Sequence, residues 1–455
     1  MRRALLLVLW TAAGCGAGGG AEEPGRLYRV EGGAIRLRTG EALYLRGINL
    51  SNTSKYIEGH LYPLEDADLE VLAGGGFDSV RLLTFWEAVM PAGPGLVDPA
   101  YLAGLAAQVR RLAAAGLWVV VDMHQDLYGS PFSPGAPPWS CPEEVRAGYE
   151  PAEPWWANYT SRQVMGCFDR FWATPALWDE LAAAWAAVAG AVCAEERVLG
   201  FDLLNEPWPA SALGDPGFDN GPLLALYLRL AQAIEAACPG RLVFLEPSLG
   251  ESLGLMEPLA PPPPLADHTV LAPHFYPREV HDPGGVYAGD RAALAEALDL
   301  RLGPLGAGGL PLWIGEWGGM PVNENFATYL EDAGALYADR FAGSALYEYS
   351  AADGGFAFLD AAGRRKPAYD ALVRTPMPAL LPERPTRFAP DFARGTLALE
   401  LGCVQGRRLE IRWPDGAPGA CQALPAGRLS AFAREGRREE ARCEQDGTVS
   451  VVCGP

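Results

Sequence analysis

The stretch "VLGFDLLNE", Val198–Glu206, is an apolar run that ends in an amide and an acid, followed at once by Pro207 and Pro209. A short, nearly continuous apolar segment of this kind reads as a strand buried on both faces, the signature of a parallel sheet. Seven more runs share that texture. They are "LYLRGINLS" from Leu43, "SVRLLTFW" from Ser79, "LWVVVDMHQ" from Leu117, "RLVFLEPS" from Arg241, "TVLAPHFY" from Thr269, "LWIGEWG" from Leu312 and "SALYEYS" from Ser344. Ala/Leu-rich helical patterns at 101–115, 176–194, 223–238, 291–302 and 325–341 separate them. Eight buried strands with crossover helices predict an α/β fold, a (β/α)8 TIM barrel. An open doubly wound sheet is the alternative, but its dinucleotide-binding form calls for a G-x-G-x-x-G turn after an early strand, and the sequence has none.

Outward from the barrel, "LYRVEGGAIRLRTGEALYLRG" from Leu27 alternates around glycine turns and predicts a β-hairpin at the N-terminal side. Past "PMPALLPERPTRFAP", short alternating strands carry four cysteines and predict a small C-terminal β-sandwich. The expected organisation is a leader and Gly-rich tether over 1–24, a catalytic barrel with its hairpin over 25–378, and the sandwich over 379–455.

The leader has two arginines, an apolar run from Ala4 to Trp10, then small residues before Cys15. It is too short to span a bilayer and reads as an export signal. Cys15 after Ala12, Ala13 and Gly14 suits a lipobox, with an ordinary cleaved signal as the other reading; both predict an exported protein, secreted or lipid-anchored at the cell envelope. Eight cysteines remain, an even number suited to an oxidising compartment. The expected pairs are Cys141 with Cys167 and Cys193 with Cys238, while Cys403, Cys421, Cys443 and Cys453 leave three connectivities open.

The 455 residues carry a formal net charge of −20. No Lys/Arg run exists to neutralise phosphates, so nucleic acid is excluded as a partner. Of 36 basic residues only Lys55 and Lys366 are lysines, which makes Lys55, in the loop after the first strand, worth noting.

In a barrel the C-terminal strand ends converge on one face. Here they bring Arg81, His124, Asp126, Asn205, Glu206, His274, Tyr276, Glu316 and Tyr347. Two carboxyl groups on one face suit glycoside hydrolysis, in which one protonates the leaving oxygen and the other attacks or activates water. Glu206 reads as the proton donor, with the Asn205 amide beside it for a sugar hydroxyl. Glu316 reads as the nucleophile, kept ionised and aimed by Arg81 and Tyr276, and strands four and seven suggest the separation of about 5 to 5.5 Å that retaining enzymes use. A lone strand-end Glu is more often a cap partner or surface ion pair; the joint placement carries the reading. His60, His268 and His281 read as satisfied core histidines, Asp122 as structural, and Glu348 as a buried partner or outward residue. His124 and His274 lack a third zinc ligand or an H-E-x-x-H helix, and no G-x-S-x-G elbow is present. No metal or organic cofactor is expected.

At "LLNEPWP" with "IGEWGG", the chain resembles the retaining glycoside hydrolases of family 5, and "LRGIN", "VRLL", "DMHQD", "HFYP" extend the likeness along the barrel in order. "DMHQDLYGSPFSPGAPPW", "NEPWP", "FLEPS" and the C-terminal sandwich look like the endoglycoceramidases and their relatives. The resemblance implies cleavage of the β-glycosidic bond between oligosaccharide and ceramide, with Glu206 as acid/base and Glu316 as nucleophile. It also implies sugar or carboxylate contacts for Lys55, His124, Asp126, Asn205 and Tyr276. The implied partner is a glycolipid, with contact to a membrane or micelle surface; oligomeric state is left open. Strand eight departs from the family, offering "LYEYS" and Tyr347 where a tryptophan platform is usual. A β-glucosidase or glucanase for simpler glucosides, sterol glucosides or β-glucans is the runner-up, and a catalytically idle carbohydrate-binding barrel the reading from another class. The loop 126–171, with Phe132, Trp139, Trp155 and Trp156, reads as a lid or groove wall, or else as packing against the barrel's own helices.

Overall fold

The computed structural model describes residues 26–255, 257–262 and 265–455; the expected leader over 1–24 lies outside the described residues. Eight parallel strands form the barrel: β1 (Arg46–Leu50), β2 (Ser79–Thr84), β3 (Trp118–Met123), β4 (Val198–Asp202), β5 (Leu242–Leu245), β6 (Thr269–Leu271, resuming as His274–Phe275), β7 (Trp313–Gly318) and β8 (Gly343–Tyr347). β8 pairs in parallel with β1, and β6 reaches β7 through the pairs Leu271 with Leu312 and His274 with Glu316. That closure rules out the open sheet. β2 and β7 are buried at every position, as strands covered on both faces must be, which is why they read as apolar runs.

The helices follow from local chemistry. Pro99–Ala114 starts on Asp98, whose carboxylate accepts from the amides of Ala100 and Tyr101, with Pro99 where no amide is needed. Its buried residues Tyr101, Leu105, Val109 and Leu112 recur at helical spacing and face the barrel. Helices Pro175–Val192, Leu224–Ala237, Arg291–Gly306 and Phe326–Asp339 match the other expected segments within a few residues. Asp66–Gly74 and Arg162–Ala173 are additional. Between β5 and β6 the described residues hold only the four-residue turns Leu249–Ser252 and Leu265–His268.

The N-terminal hairpin plugs the closed end of the barrel. Tyr28–Glu31 and Ala34–Leu37 pair antiparallel about Gly32 and Gly33, both at positive φ (60° and 67°), as a tight hairpin turn requires. The Tyr28 hydroxyl donates to the Glu196 carbonyl, its ring meets Trp118 edge-on at 5.7 Å, and Ile35 and Leu43 share a core with Val120, Leu199, Leu242 and Trp313 at the bottom of the barrel.

The hairpin also crosses the expected unit boundary. Ala42–Leu43 pairs with Leu381 and Leu380, so hairpin and C-terminal strands build one seven-stranded sheet, and residue 378 falls inside strand Met377–Leu381. Arg46 of β1 adds hydrogen bonds to the carbonyls of Leu372 and Thr375. A four-stranded antiparallel sheet completes the C-terminal part. Cys403–Cys443 ties the two sheets and Cys421–Cys453 ties neighbouring strands, which fixes one of the three open connectivities. Cys141–Cys167 and Cys193–Cys238 form as expected.

A chain ending at Pro378 would leave Ala42–Leu43 without its partner and bare an open sheet edge. It is expected to aggregate on expression, whereas the intact chain is expected to melt in one calorimetric transition. Two independent transitions in the intact chain would count against a shared sheet.

Candidate active site

The site is built around one guanidinium. Arg81 is the third residue of β2, fully enclosed. Its Nε donates to Asp202 Oδ2 at 2.8 Å, Nη1 to Asn49 Oδ1 at 3.0 Å and Glu316 Oε1 at 2.9 Å, and Nη2 to Asn205 Oδ1 at 2.9 Å and Glu246 Oε1 at 2.7 Å. Asp122 Oδ1 lies 2.9 Å from Nη2. Burial disfavours the charge, but Asp122, Asp202, Glu246 and Glu316 outweigh it and push the Arg81 pKa well above its ordinary value. Its strand-end place sets Arg81 on the open face beside Glu316; with no exposed surface it acts from beneath, positioning Glu316, Asn205 and Glu246.

Glu316, fourth residue of β7, has both oxygens held: Oε1 by Arg81 and Oε2 by the Tyr276 hydroxyl at 2.9 Å. Burial opposes its ionisation, yet His274, Arg81, His124 and Lys55 together set its pKa below the ordinary 4.5. His274 Nδ1 lies 3.0 Å from Glu206 Oε1 and 3.6 Å from Glu316 Oε2, and its Nε2 lies 3.2 Å from Glu246 Oε1. Burial would keep this imidazole neutral, but Glu246 and Glu316 raise its pKa well above 6.5. The ring thus stands in reach of Glu206, Glu246 and Glu316 at once.

Glu206 sits four residues beyond the end of β4 with φ at 43°, a region that strains a side-chain-bearing residue. Neighbours hold it there. Its amide donates to Glu246 Oε2 at 2.7 Å, and Gln125 Nε2 donates to the carbonyls of Asn205 and Glu206 at 2.7 and 3.1 Å. The Glu206 side chain is 21% exposed against 7% for Glu316, so Glu206 is the carboxyl group that opens to the mouth. An oxygen of each glutamate and a nitrogen of His274 all lie within 4.8 Å of one another, the short spacing of a retaining pair.

Lys55 donates to Asp126 Oδ2 at 2.7 Å and stands 5.8 Å from the centre of the Tyr347 ring. Asp126 Oδ1 lies 3.5 Å from His124 Nε2, and His124 Nδ1 is 2.7 Å from Asp122 Oδ2. Burial opposes the charge on Asp126, but Lys55 and His124 hold it well below the usual carboxylate range. Burial and Lys55 oppose protonation of His124, but Asp122 and Asp126 prevail and raise it above 6.5. Tyr347 donates to Asn52 Oδ1 at 3.0 Å.

Two triads have spacings that metal ligation could use, Glu206 with His274 and Glu316, and Asp122 with Asp202 and Glu246. In the first, His274 lies between the two acids, and in the second Arg81 already balances them. At the closed end, a cleft of about 580 Å³ lined by Arg412, Arg434, Arg437 and Arg438 is likewise internally paired, through Asp415, Glu410 and backbone carbonyls.

Every strand-end residue singled out from sequence converges here, Arg81 as support. Two residues it omitted also matter. Glu246 ends β5 just as Glu316 serves β7, and the same strand-end rule would have found it in "FLEPS". Tyr159, which donates to Glu206 Oε2 at 3.4 Å, sits deep in the long β3 loop, where no periodicity marks it. Asp122 is structural, as expected, and Glu348 is a buried partner, accepting from Asn52 N and the Ser350 hydroxyl. The three remaining histidines differ from expectation: none is fully buried, and His281 is 45% exposed beside Tyr276 and Phe356 at the rim. The loop 126–171 divides, with Phe132 and Trp139 packed inward and Trp155 and Trp156 exposed.

Residues 38–351 match the family model for cellulase (glycosyl hydrolase family 5). Endoglycoceramidase I of Rhodococcus hoagii (strain 103S) is 28% identical over 402 residues, covering 83% of this chain and 78% of that protein. The structure of endo-glycoceramidase II from Rhodococcus sp. in complex with ganglioside GM3 superimposes with a TM-score of 0.82 at 26% identity, over 93% of this chain and 99% of that one. The lactosyl-enzyme intermediate of the same enzyme gives 0.80 at 26% identity, over 92% and 99%.

Two measurements check the electrostatics. Arg81→Met leaves buried carboxylates without their cation and is expected to lower unfolding free energy in urea by about 3–5 kcal/mol; a loss near zero would contradict the network. Glu316 has a folded pKa below its unfolded value near 4.5, so its charge adds stability that is complete above pH 4.5 and lost as pH falls through the lowered folded value. In Glu316→Gln the urea midpoint is therefore expected to fall less than in wild type between about pH 5 and pH 3; parallel curves would refute the shift.

Proposed function

The chain belongs to glycosyl hydrolase family 5, and from that premise we propose that it is a retaining endoglycosylceramidase, splitting the β-glycosidic bond between oligosaccharide and ceramide in glycosphingolipids. The observation that carries the chemistry is the asymmetry of the glutamate pair. An oxygen of one lies within 4.8 Å of an oxygen of the other, yet Glu316 is enclosed and held ionised by cations while Glu206 opens to the mouth.

In the first step a Glu316 oxygen attacks the anomeric carbon, the bond to the ceramide oxygen breaks, and Glu206 gives that oxygen its proton. Arg81 and Tyr276 set the angle of attack by holding the Glu316 carboxylate in place. In the second step Glu206 takes a proton from water, the hydroxide attacks the same carbon, and Glu316 leaves as carboxylate. The Asn205 amide nitrogen gives one N–H to the Gln125 carbonyl at 2.8 Å, and its second N–H suits a sugar hydroxyl. Lys55, Asp126 and His124 complete the polar wall around the sugar.

Export is part of the same reading. Four disulfides in one chain belong to an oxidising compartment, which supports the leader as an export signal. Contact with a membrane or micelle has separate support. Of twelve large apolar side chains exposed among the described residues, nine stand on loops that follow barrel strands, including Leu96, Trp156, Leu213, Leu253 and Val322. An apolar rim about a polar pocket fits a substrate whose head is sugar and whose tail is lipid.

Incubation with detergent-dispersed lactosylceramide is expected to release intact lactose and ceramide by mass spectrometry. Glu316→Gln is expected to abolish turnover. Glu206→Gln is expected to lose about 10²–10⁴ in kcat on the ceramide but much less on an aryl glycoside whose leaving group needs no proton. Release of monosaccharides alone, or cleavage of soluble β-glucans without glycolipids, would refute the assignment.

A further inference from the structure

We propose that a cleft beside the catalytic pocket binds the outer sugars of the glycan, beyond its inner disaccharide, and that Tyr56 and Trp155 select substrates by glycan length. This rests on the hydrolase reading above. The cleft, of about 340 Å³, opens between the loops that follow β1 and β3. Its border with the catalytic pocket is the Lys55–Asp126 ion pair, with side chains only 9% and 13% exposed.

Lys55 and Asp126 stand between the catalytic pair and the cleft, and Lys55 acts on Glu316 as well, so a glycan whose first sugar sits over the glutamates reaches the cleft past that ion pair.

The lining suits sugar rather than lipid. Lys55, Asp126, Ser130 and Ser133 offer hydrogen-bonding groups along one side, and an acyl chain laid over the ion pair would desolvate it without replacing its water. Tyr56 and Trp155 supply aromatic rings from two different loops, 77% and 49% exposed. Aromatic surface of this size is normally buried, and Trp155 is held in solvent by a built scaffold. Asn158, itself 1% exposed, donates to the carbonyls of Trp155 (2.6 Å) and Ala152 (3.0 Å) and accepts from Ala152 N (2.8 Å) and the Tyr149 hydroxyl (2.9 Å). Tyr159 packs edge-on against the Trp155 ring at 5.7 Å, and Cys141–Cys167 pins the loop. A fully satisfied buried amide that fixes an exposed indole beside a polar cleft is a binding platform.

The experiment compares glycosides of one soluble fluorogenic aglycone carrying one, two or four sugars, with wild type, Tyr56→Ala and Trp155→Ala of unchanged thermal midpoint. Each variant is expected to lose about tenfold in kcat/KM on the tetrasaccharide while holding the mono- and disaccharide values within about threefold. Equal loss at every length overturns the subsite alone. A loss that follows acyl-chain length in a ceramide series, with glycan preference intact, assigns the cleft to lipid and also overturns it. Failure of wild type to cleave any glycoside overturns the hydrolase reading, and the subsite with it.

Discussion

A positive charge enclosed in a barrel core must find partners or be expelled, and Arg81 meets that demand with groups from five other strands or their ends. Satisfying one guanidinium thereby places Asn49, Asp122, Asp202, Asn205, Glu246 and Glu316 relative to one another. Glu246 passes the constraint on, since its second oxygen takes the amide of Glu206 and stabilises a backbone angle that residue would otherwise avoid. The geometry of both glutamates thus descends from the solvation problem of a single side chain.

The charge distribution around the pair runs against that of the molecule. The chain carries 56 acids to 36 bases, yet Glu316 feels Lys55, Arg81, His124 and His274. Concentrating cations at one buried carboxylate keeps it ionised in a place that would otherwise protonate it. Glu206 meets His274 and faces the mouth. Two residues of one type thus sit in different surroundings on one face.

Much of this was legible in the sequence because a parallel barrel writes its strands as apolar runs and its chemistry at their ends. The eight runs, the two glutamates and His274 all followed from that rule, and Lys55 from the scarcity of lysine. Depth did not. Arg81 lies three residues before the end of β2, so its side chain lies below the sugar floor, a distinction visible only by counting within the strand. Glu246 was passed over although it stands at a strand end before a proline, the same context as Glu206. The hairpin's two attachments, to the barrel floor and to Leu380–Leu381, depend on contacts hundreds of residues apart that no local pattern encodes.

The hairpin gives the molecule a front and a back. From Tyr28 onward the chain is fastened to Glu196, Trp118 and the undersides of the strands, at the end remote from both glutamates. Any attachment made ahead of it is therefore a handle on the back.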